Sequence, residues 1–379
     1  MVTSSERITT KLSNILRVGH GKSQTKIEDN NGIYPILASG GEIGRTNEFI
    51  YDKPSVLIGR KGTIDKPQYM DTPFWTIDTL FYTIINSDYS EKFIYYLFLS
   101  INWKDYNEAS GVPSLTRQII ENIEVTIPST KAEQNAIANV LTHIDELIAS
   151  LQKLIEKKRA VKQGAMQELL TGKKRLPGFK GDWNYHKIED FTDVTIGGTP
   201  NTQISEYWNG NILWMSSGEL NEKRIHNVTG RITELGLINS STHMLPKACV
   251  LIGLAGQGKT RGTSAINYVE LCTNQSIGAI LPSKNHNSEY LYQYFNTKYG
   301  ELRELSDGGG GRGSLNKRHI NLFECYLPPT LEEQAAIADI LTNMDDEIEQ
   351  LEQKLAKYEK IKIGMMQNLL TGKIRLPTP

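Results

Sequence analysis

The chain has 379 residues, with 42 Lys and Arg against 43 Asp and Glu, so its formal charge of -1 advertises neither a polybasic coat nor an acidic tail. Cys249, Cys272 and Cys325 stand too far apart for a CxxC metal pair, and their odd number does not suggest a disulfide framework. MVTSSERITTKL at the start lacks the apolar stretch of a signal peptide, and no apolar run approaches the ~18 residues of a membrane span, so a soluble cytoplasmic protein with reduced thiols and no membrane contact is expected.

In chain order, residues 1–126 carry short strand-like runs, notably SVLIG at 55–59 and FYTII at 81–85, separated by glycine-rich turns and followed by a helical pattern at 92–100. These features predict an α+β domain.

Residues 127–177 change character. Ile137, Ile144 and Leu151 fall at seven-residue steps continued by Lys158 and Ala165, with Val140, Leu147, Leu154 and Val161 offset by three and Ile148 and Ile155 widening the stripe, which predicts a long amphipathic helix. Ser129 or Thr130 suits its N-cap, Glu133 the capping box and Gly172 the left-handed stop.

Residues 178–326 return to short strands, at 248–254 and 277–281, with a helical pattern at 289–297. Residues 327–379 form a second long helix striped by Ile337, Ile340, Met344, Ile348, Leu351, Leu355, Tyr358, Ile361 and Met365, with Thr330 and Glu333 at its start and Gly372 at its end.

The second helical segment repeats the first. Residues 327–377 align with 127–177 without a gap, and about half of the positions are identical. Two helices of about 40 residues would each reach roughly 60 Å. Their stripes would bury most simply against each other, and the basic balance of the first against the acidic balance of the second favours pairing of unlike copies. Gly164 and Gly364 interrupt the helices at equivalent places, where they permit a bend or close packing of another helix.

The variable segments keep weaker repeat marks: YPILASGG beside ILWMSSGE, SVLIGRKGT beside CVLIGLAGQ, and Gly111, Ser114 and Leu115 beside Gly311, Ser314 and Leu315. Together with the two EQ-x-A-I-A helix starts, the two LLTGK ends, GGTPNTQISEYWNGNILW at 197–214 and CTNQSIG at 272–278, these marks resemble the specificity subunits of type I restriction-modification systems over essentially the whole chain.

The resemblance implies an α+β fold with target recognition domains at 1–126 and 178–326, each reading half of a split sequence in double-stranded DNA, separated by conserved spacer helices at 127–177 and 327–379 that form an antiparallel coiled-coil pair in a pseudo-twofold arrangement. It also implies two methyltransferase (modification) subunits as partners, optionally joined by ATP-driven restriction subunits. The first copy departs from the pattern, because GHGKSQTKIEDNNGIYPILASGGEIG at 19–44 replaces the GGTP-type opening.

Reading DNA requires cations for phosphates and side chains that pair with base edges. Candidates in the first unit are Arg45, the Arg60-Lys61-Gly62 turn, Lys66 and Arg117; in the second they are Lys259, Thr260, Arg261, Arg312, Asn316, Lys317 and Arg318. The glycine-rich run DGGGGRGSLNKRH at 307–319 would let backbone approach phosphates closely.

GLAGQGKT at 253–260 fits the phosphate-loop pattern, but the strand-like RGTSAINYVELCTNQSIG follows where a nucleotide-binding fold needs a helix, so a hairpin is expected. Neither a methyl-donor loop nor an Asn-Pro-Pro-aromatic motif occurs, there is no HExxH or paired-cysteine zinc spacing, and Asp145 and Asp345 sit among helix-surface residues. The expectation is a non-catalytic subunit without a cofactor. Its rivals are a nucleotide-dependent enzyme built on GLAGQGKT and a coiled-coil scaffold that binds only protein.

Overall fold

A computed structural model describes residues 6–256, 258–306 and 313–376. Internal contacts divide the chain into two units, Met1–Lys153 with Glu352–Pro379, and Leu154–Leu351. Each unit therefore owns one strand-rich domain and one half of each long helix.

In the first unit the strands are β1 (Arg7–Lys11), β2 (Leu16–His20), β3 (Tyr34–Ala38), β4 (Gly41–Thr46), β5 (Ser55–Gly59), β6 (Gln68–Met70), β7 (Trp75–Thr76), β8 (Leu80–Ile85) and β9 (Glu124–Pro128). Between them lie the helices α1 (Glu91–Ser100) and α2 (Arg117–Asn122), and α3 (Lys131–Leu169) follows. A four-stranded sheet runs β2-β8-β5-β6, a three-stranded one β4-β3-β7, and β1 pairs with β9. The continuous apolar run of β5 is buried along its length because the strand lies between β8 and β6 and is covered on both faces.

Ser90 caps α1 by accepting from the Phe93 amide, and the helix buries Phe93, Ile94, Tyr96, Leu97 and Phe98. These side chains join one core with Ile137, Ala138 and Leu141 of α3 and with Leu369 and Leu370 near the chain's end. Burying a side chain of this kind stabilises by about 1.5–3 kcal/mol, so the domain and the helices form one folding unit.

The second unit contains β10 (Asn184–Lys187), β11 (Val194–Ile196), β12 (Trp208–Met215), β13 (Arg224–Ile225), β14 (Arg231–Ile232), β15 (Val250–Gly253), β16 (Ser264–Asn267), β17 (Cys272–Thr273), β18 (Ile277–Ile280) and β19 (Glu324–Leu327). Its helices are α4 (Glu234–Ile238), α5 (Ser288–Thr297), α6 (Tyr299–Ser306), α7 (Lys317–Asn321) and α8 (Leu331–Thr371). The main sheet, β11-β18-β15-β16-β13, repeats the order β2-β8-β5-β6 and adds β13 parallel to β16. The smaller sheet β14-β12-β17 and the pair β10/β19 match those of the first unit. The fold is α+β and duplicated, as the weak repeat marks predict.

Both long helices form, at 39 and 41 residues. Thr130 and Thr330 accept from the amides of Glu133 and Glu333, and Gly172 and Gly372 adopt φ of 68° and 77°. The capping-box role of Glu333 is not realised, since both of its carboxylate oxygens are taken by Arg175.

The helices run antiparallel within each unit. In the second, Lys158 meets Glu347 and Lys162 meets Asp345; in the first, Lys362 meets Asp145. Not all of the expected stripe is buried, for Leu154 and Val161 are 38% and 50% exposed while Ile155 and Met166 are covered. A strict seven-residue stripe drifts around a helix of 3.6 residues per turn, so the seam leaves those two positions. A Cβ on Gly164 or Gly364 would meet nothing within 4 Å, so no described part of the chain packs closely there.

Candidate nucleic-acid interface

In the first unit the turn after β5 is held from one side by the segment preceding α2. Gly62, at φ 92°, donates to the Pro113 carbonyl at 2.9 Å, Leu115 donates to the Arg60 carbonyl at 2.9 Å, and Lys61 bridges Ser114. A Cβ on Gly59 would collide with the Thr63 carbonyl, so only glycine permits a turn this tight.

Arg60 and Lys61 are exposed at the tip, and one Arg60 Nη donates to the Asp78 carbonyl at 3.1 Å. Arg117 stands at the start of α2, paired with Glu121 at 2.8 Å. The Gln68 amide donates to the Ala38 carbonyl, and the Ser39 hydroxyl lies against Gly62, which brings the β3–β4 tip beside the same turn. Arg60, Lys61 and Arg117 are thus brought together with Ser39 and Ser114. Lys66 is exposed farther along, next to the Asp65–Lys104 pair.

Arg45 has a different task. Its guanidinium donates to the carbonyls of Gly32 and Ile33 at 2.8 and 2.9 Å and pairs with Glu42 at 3.0 Å, so it braces the loop before β3.

The second unit repeats the arrangement. Leu315 donates to the Leu254 carbonyl at 2.8 Å, the counterpart of Leu115 on Arg60, and a Cβ on Gly253 would strike the Thr260 carbonyl. The described residues of GLAGQGKT run from the last residue of β15 into the connection between β15 and β16, which pair antiparallel as a hairpin. Gly253 donates to Thr263, Gly262 to Gly253, Leu254 to Ser276 and Thr263 to Thr260, and the strand β16 follows where a nucleotide-binding loop requires a helix.

Lys259 is exposed on this turn and Thr260 is half-buried. Arg261 is only 7% exposed and donates to the Gly313 carbonyl, so it anchors the following loop instead of presenting its charge outward. Asn316 accepts from the His319 amide at 3.0 Å as the N-cap of α7, which leaves Lys317 and Arg318 exposed beside it. Arg312 and most of the glycine run lie outside the described residues.

Three cations near this turn have no glycine-rich signature in the sequence. Arg303 donates to the Gly258 carbonyl at 2.8 Å and lies over Tyr299, which fixes the Lys259 turn from below. Lys223 follows a short 3-10 turn at φ 66°, and Arg224 pairs with Glu289 at 3.0 Å. Lys223 and Arg224 lack counterparts among the described residues of the first unit because β13 has no equivalent there, so repeat comparison could not find them.

Exposed cations on tight turns beside short capped helices suit contact with a polyanion, and the loops around them differ between the units. Among the described residues no His, Cys, Asp and Glu cluster could hold a metal ion, and no helix is long and apolar enough to cross a membrane.

The family model for the type I restriction modification DNA specificity domain matches residues 7–158 and 180–360. The type I restriction enzyme MjaIX specificity subunit of Methanocaldococcus jannaschii is 35% identical over 192 residues, 49% of this chain and 43% of that protein. The MjaVIII specificity subunit of the same organism is 27% identical over 309 residues, covering 74% and 70%. The chain thus spans less than half of the first relative and over two thirds of the second. In structure, the chain is similar to a type I restriction-modification system S subunit from M. genitalium, with a TM-score of 0.72 at 16% identity over 97% of this chain and 96% of that one, a likeness of fold.

Proposed function

The chain belongs to the type I restriction-modification DNA specificity family, and on that premise we propose that it recognises a bipartite target in double-stranded DNA and directs methyltransferase subunits to it. The observation that carries this reading is the repeated constellation: one tight turn clamped by the segment before a short helix, present in both units with exposed cations and with unlike loops. A shared scaffold with different loops suits two half-sites of different sequence.

In this reading residues 1–126 and 178–326 are the recognition domains and 127–177 and 327–379 the spacers. Arg60, Lys61, Lys66 and Arg117 serve the first half-site, and Lys259, Thr260, Lys317 and Arg318 the second. Arg45, Arg261 and Asn316 shape the loops that carry them, and Arg312 adds charge from the glycine run. The length of α3 and α8 sets the gap between half-sites. Two methyltransferase subunits supply the donor site and the chemistry, ATP-dependent restriction subunits join where a system has them, and the complex works in the cytoplasm beside the DNA.

Exchanging the second recognition segment for that of another family member tests this directly. Methylation sequencing should show one half-site changed and the other retained; both halves changing, or neither, would refute independent recognition.

A further inference from the structure

Below the Lys259 turn lies a recess of about 410 Å³ whose lining includes Asn221, Lys223, Lys259, Ser264, Asn296 and Tyr299, with no carboxylate in its wall. Among the described residues neither lysine forms an ion pair. Lys223 is exposed as a residue, yet its Nζ lies 3.4 Å from the Ser264 carbonyl. Partial desolvation there, with the charge of Lys162 nearby, holds its pKa below the ordinary lysine value. Lys162 is itself occupied by Asp345, so that acid does not serve the recess.

The walls are fixed in advance. Ser264 donates to Asn296 Oδ1 at 3.1 Å, Asn296 donates to the Tyr292 carbonyl at 3.1 Å, and Tyr299 donates to the Lys259 carbonyl at 3.3 Å. Lys223 keeps a positive φ, a strained state for a side chain with a Cβ, with its carbonyl accepting from Ile266 at 2.9 Å. Asn221 donates to the Gly218 carbonyl at 2.9 Å, so two lysines and two asparagines held by their neighbours line a recess that has no carboxylate in its wall.

We propose that this recess is a phosphate site, built by Lys223 and Lys259 with Asn221 and Asn296, and that its ligand is a backbone phosphodiester of bound DNA. This assignment rests on the DNA-recognition reading above and deepens it. A free nucleotide would present the same phosphate chemistry, but the strand β16 follows GLAGQGKT where a triphosphate cradle needs a helix N-terminus. A single phosphodiester needs only the side chains of the recess. The contact positions the second unit on DNA without reading sequence.

The test uses the full chain with Lys223→Met and Lys259→Met, which keep side-chain length and remove charge, and Asn296→Asp, which adds an anion to the recess. Binding of the target duplex is titrated across salt concentrations, with urea midpoints recorded for folding. Each lysine variant should lower the slope of log affinity against log salt by about 0.9 while the preferred sequence and the midpoint stay unchanged, and Asn296→Asp should weaken every duplex alike. Unchanged affinity and slope in correctly folded variants would overturn the proposal.

A second arm reads the recess without DNA, by mass-spectrometric acylation of Lys223 and Lys259 in the presence of inorganic phosphate. Protection of both lysines is expected at millimolar concentration. Failure of the parent chain to bind any duplex, with phosphate protection intact, would sink the DNA reading and keep the phosphate site; no protection would sink the site. Protection by ATP at far lower concentration than by phosphate or duplex would contradict the phosphodiester assignment.

Discussion

Lys362 reaches Asp145 at 2.6 Å from one long helix to the other, and Lys162 reaches Asp345 from the equivalent positions in the second unit. In both units the acid also binds α1 or its counterpart. Tyr96 donates to Asp145 at 2.9 Å, and Gln293 donates to Asp345 at 2.7 Å. Each aspartate therefore ties a strand-rich domain to both helix halves of its unit. The second hub is the larger, because Arg224 also reaches Asp345, at 3.3 Å, and joins it to Glu289.

The difference in size predicts a difference in cost. Asp145→Ala should destabilise the first unit by about 1–2 kcal/mol, and Asp345→Ala the second by about 2–4 kcal/mol, because more buried donors lose their acceptor. Urea unfolding followed by hydrogen exchange in each unit measures both. Equal losses would show that the Arg224 branch contributes nothing.

Arg175 and Glu333 form a bidentate ion pair, with Nε to Oε1 at 2.6 Å and Nη2 to Oε2 at 2.8 Å, and Glu333 is buried. Arg175→Ala strands that carboxylate and should cost about 3–5 kcal/mol; Arg175→Lys should recover only part, since an ammonium cannot bond both oxygens in one plane. Arg375 occupies the equivalent position but is exposed, so Arg375→Ala should cost less than about 1 kcal/mol. Similar losses at 175 and 375, by denaturant midpoint, would refute the distinction.

Gly164→Ala and Gly364→Ala should each raise stability by about 0.5–1 kcal/mol, because the added Cβ meets open space in a regular helix. A fall in stability of the isolated chain would contradict this. Raised stability with impaired methylation in the assembled complex would place a partner's close approach on these glycines.

His286 sets an acid limit for the second unit. It is 5% exposed, packs edge-on against Phe191 with Nδ1 3.0 Å from the Ser283 hydroxyl, and its Nε2 has no partner. Burial lowers its pKa from 6.5 to about 4. The folded state thus favours the neutral ring, and its contribution is complete above about pH 6.5 and is lost as pH falls toward 4, a change of up to about 3 kcal/mol. Stability of the second unit measured from pH 7 to 4 should fall in this window, and His286→Gln should flatten the profile. An unchanged profile in the variant would assign the acid sensitivity elsewhere.

Much of this architecture is written locally. The SVLIG run is β5 in full, and the threonine starts and glycine stops of both long helices lie where their chemistry places them. The turn of GLAGQGKT into a hairpin is legible as well, because the residues after it alternate like a strand. What escapes is set by tertiary partners. Arg45 and Arg261 look like free loop cations until the carbonyls they bind are known. Leu154 and Val161 look buried until the helical drift carries them off the seam. Lys223 and Arg224 carry no motif, because their setting is made by β13, a strand of two residues.

In the proposed function this chain selects the DNA sequence that other subunits modify. Methylation sequencing of cells that carry the partner subunits, with and without this gene, tests it most directly. A single split motif should be methylated when the gene is present and unmodified when it is absent; an identical methylation pattern in both would refute the proposed role.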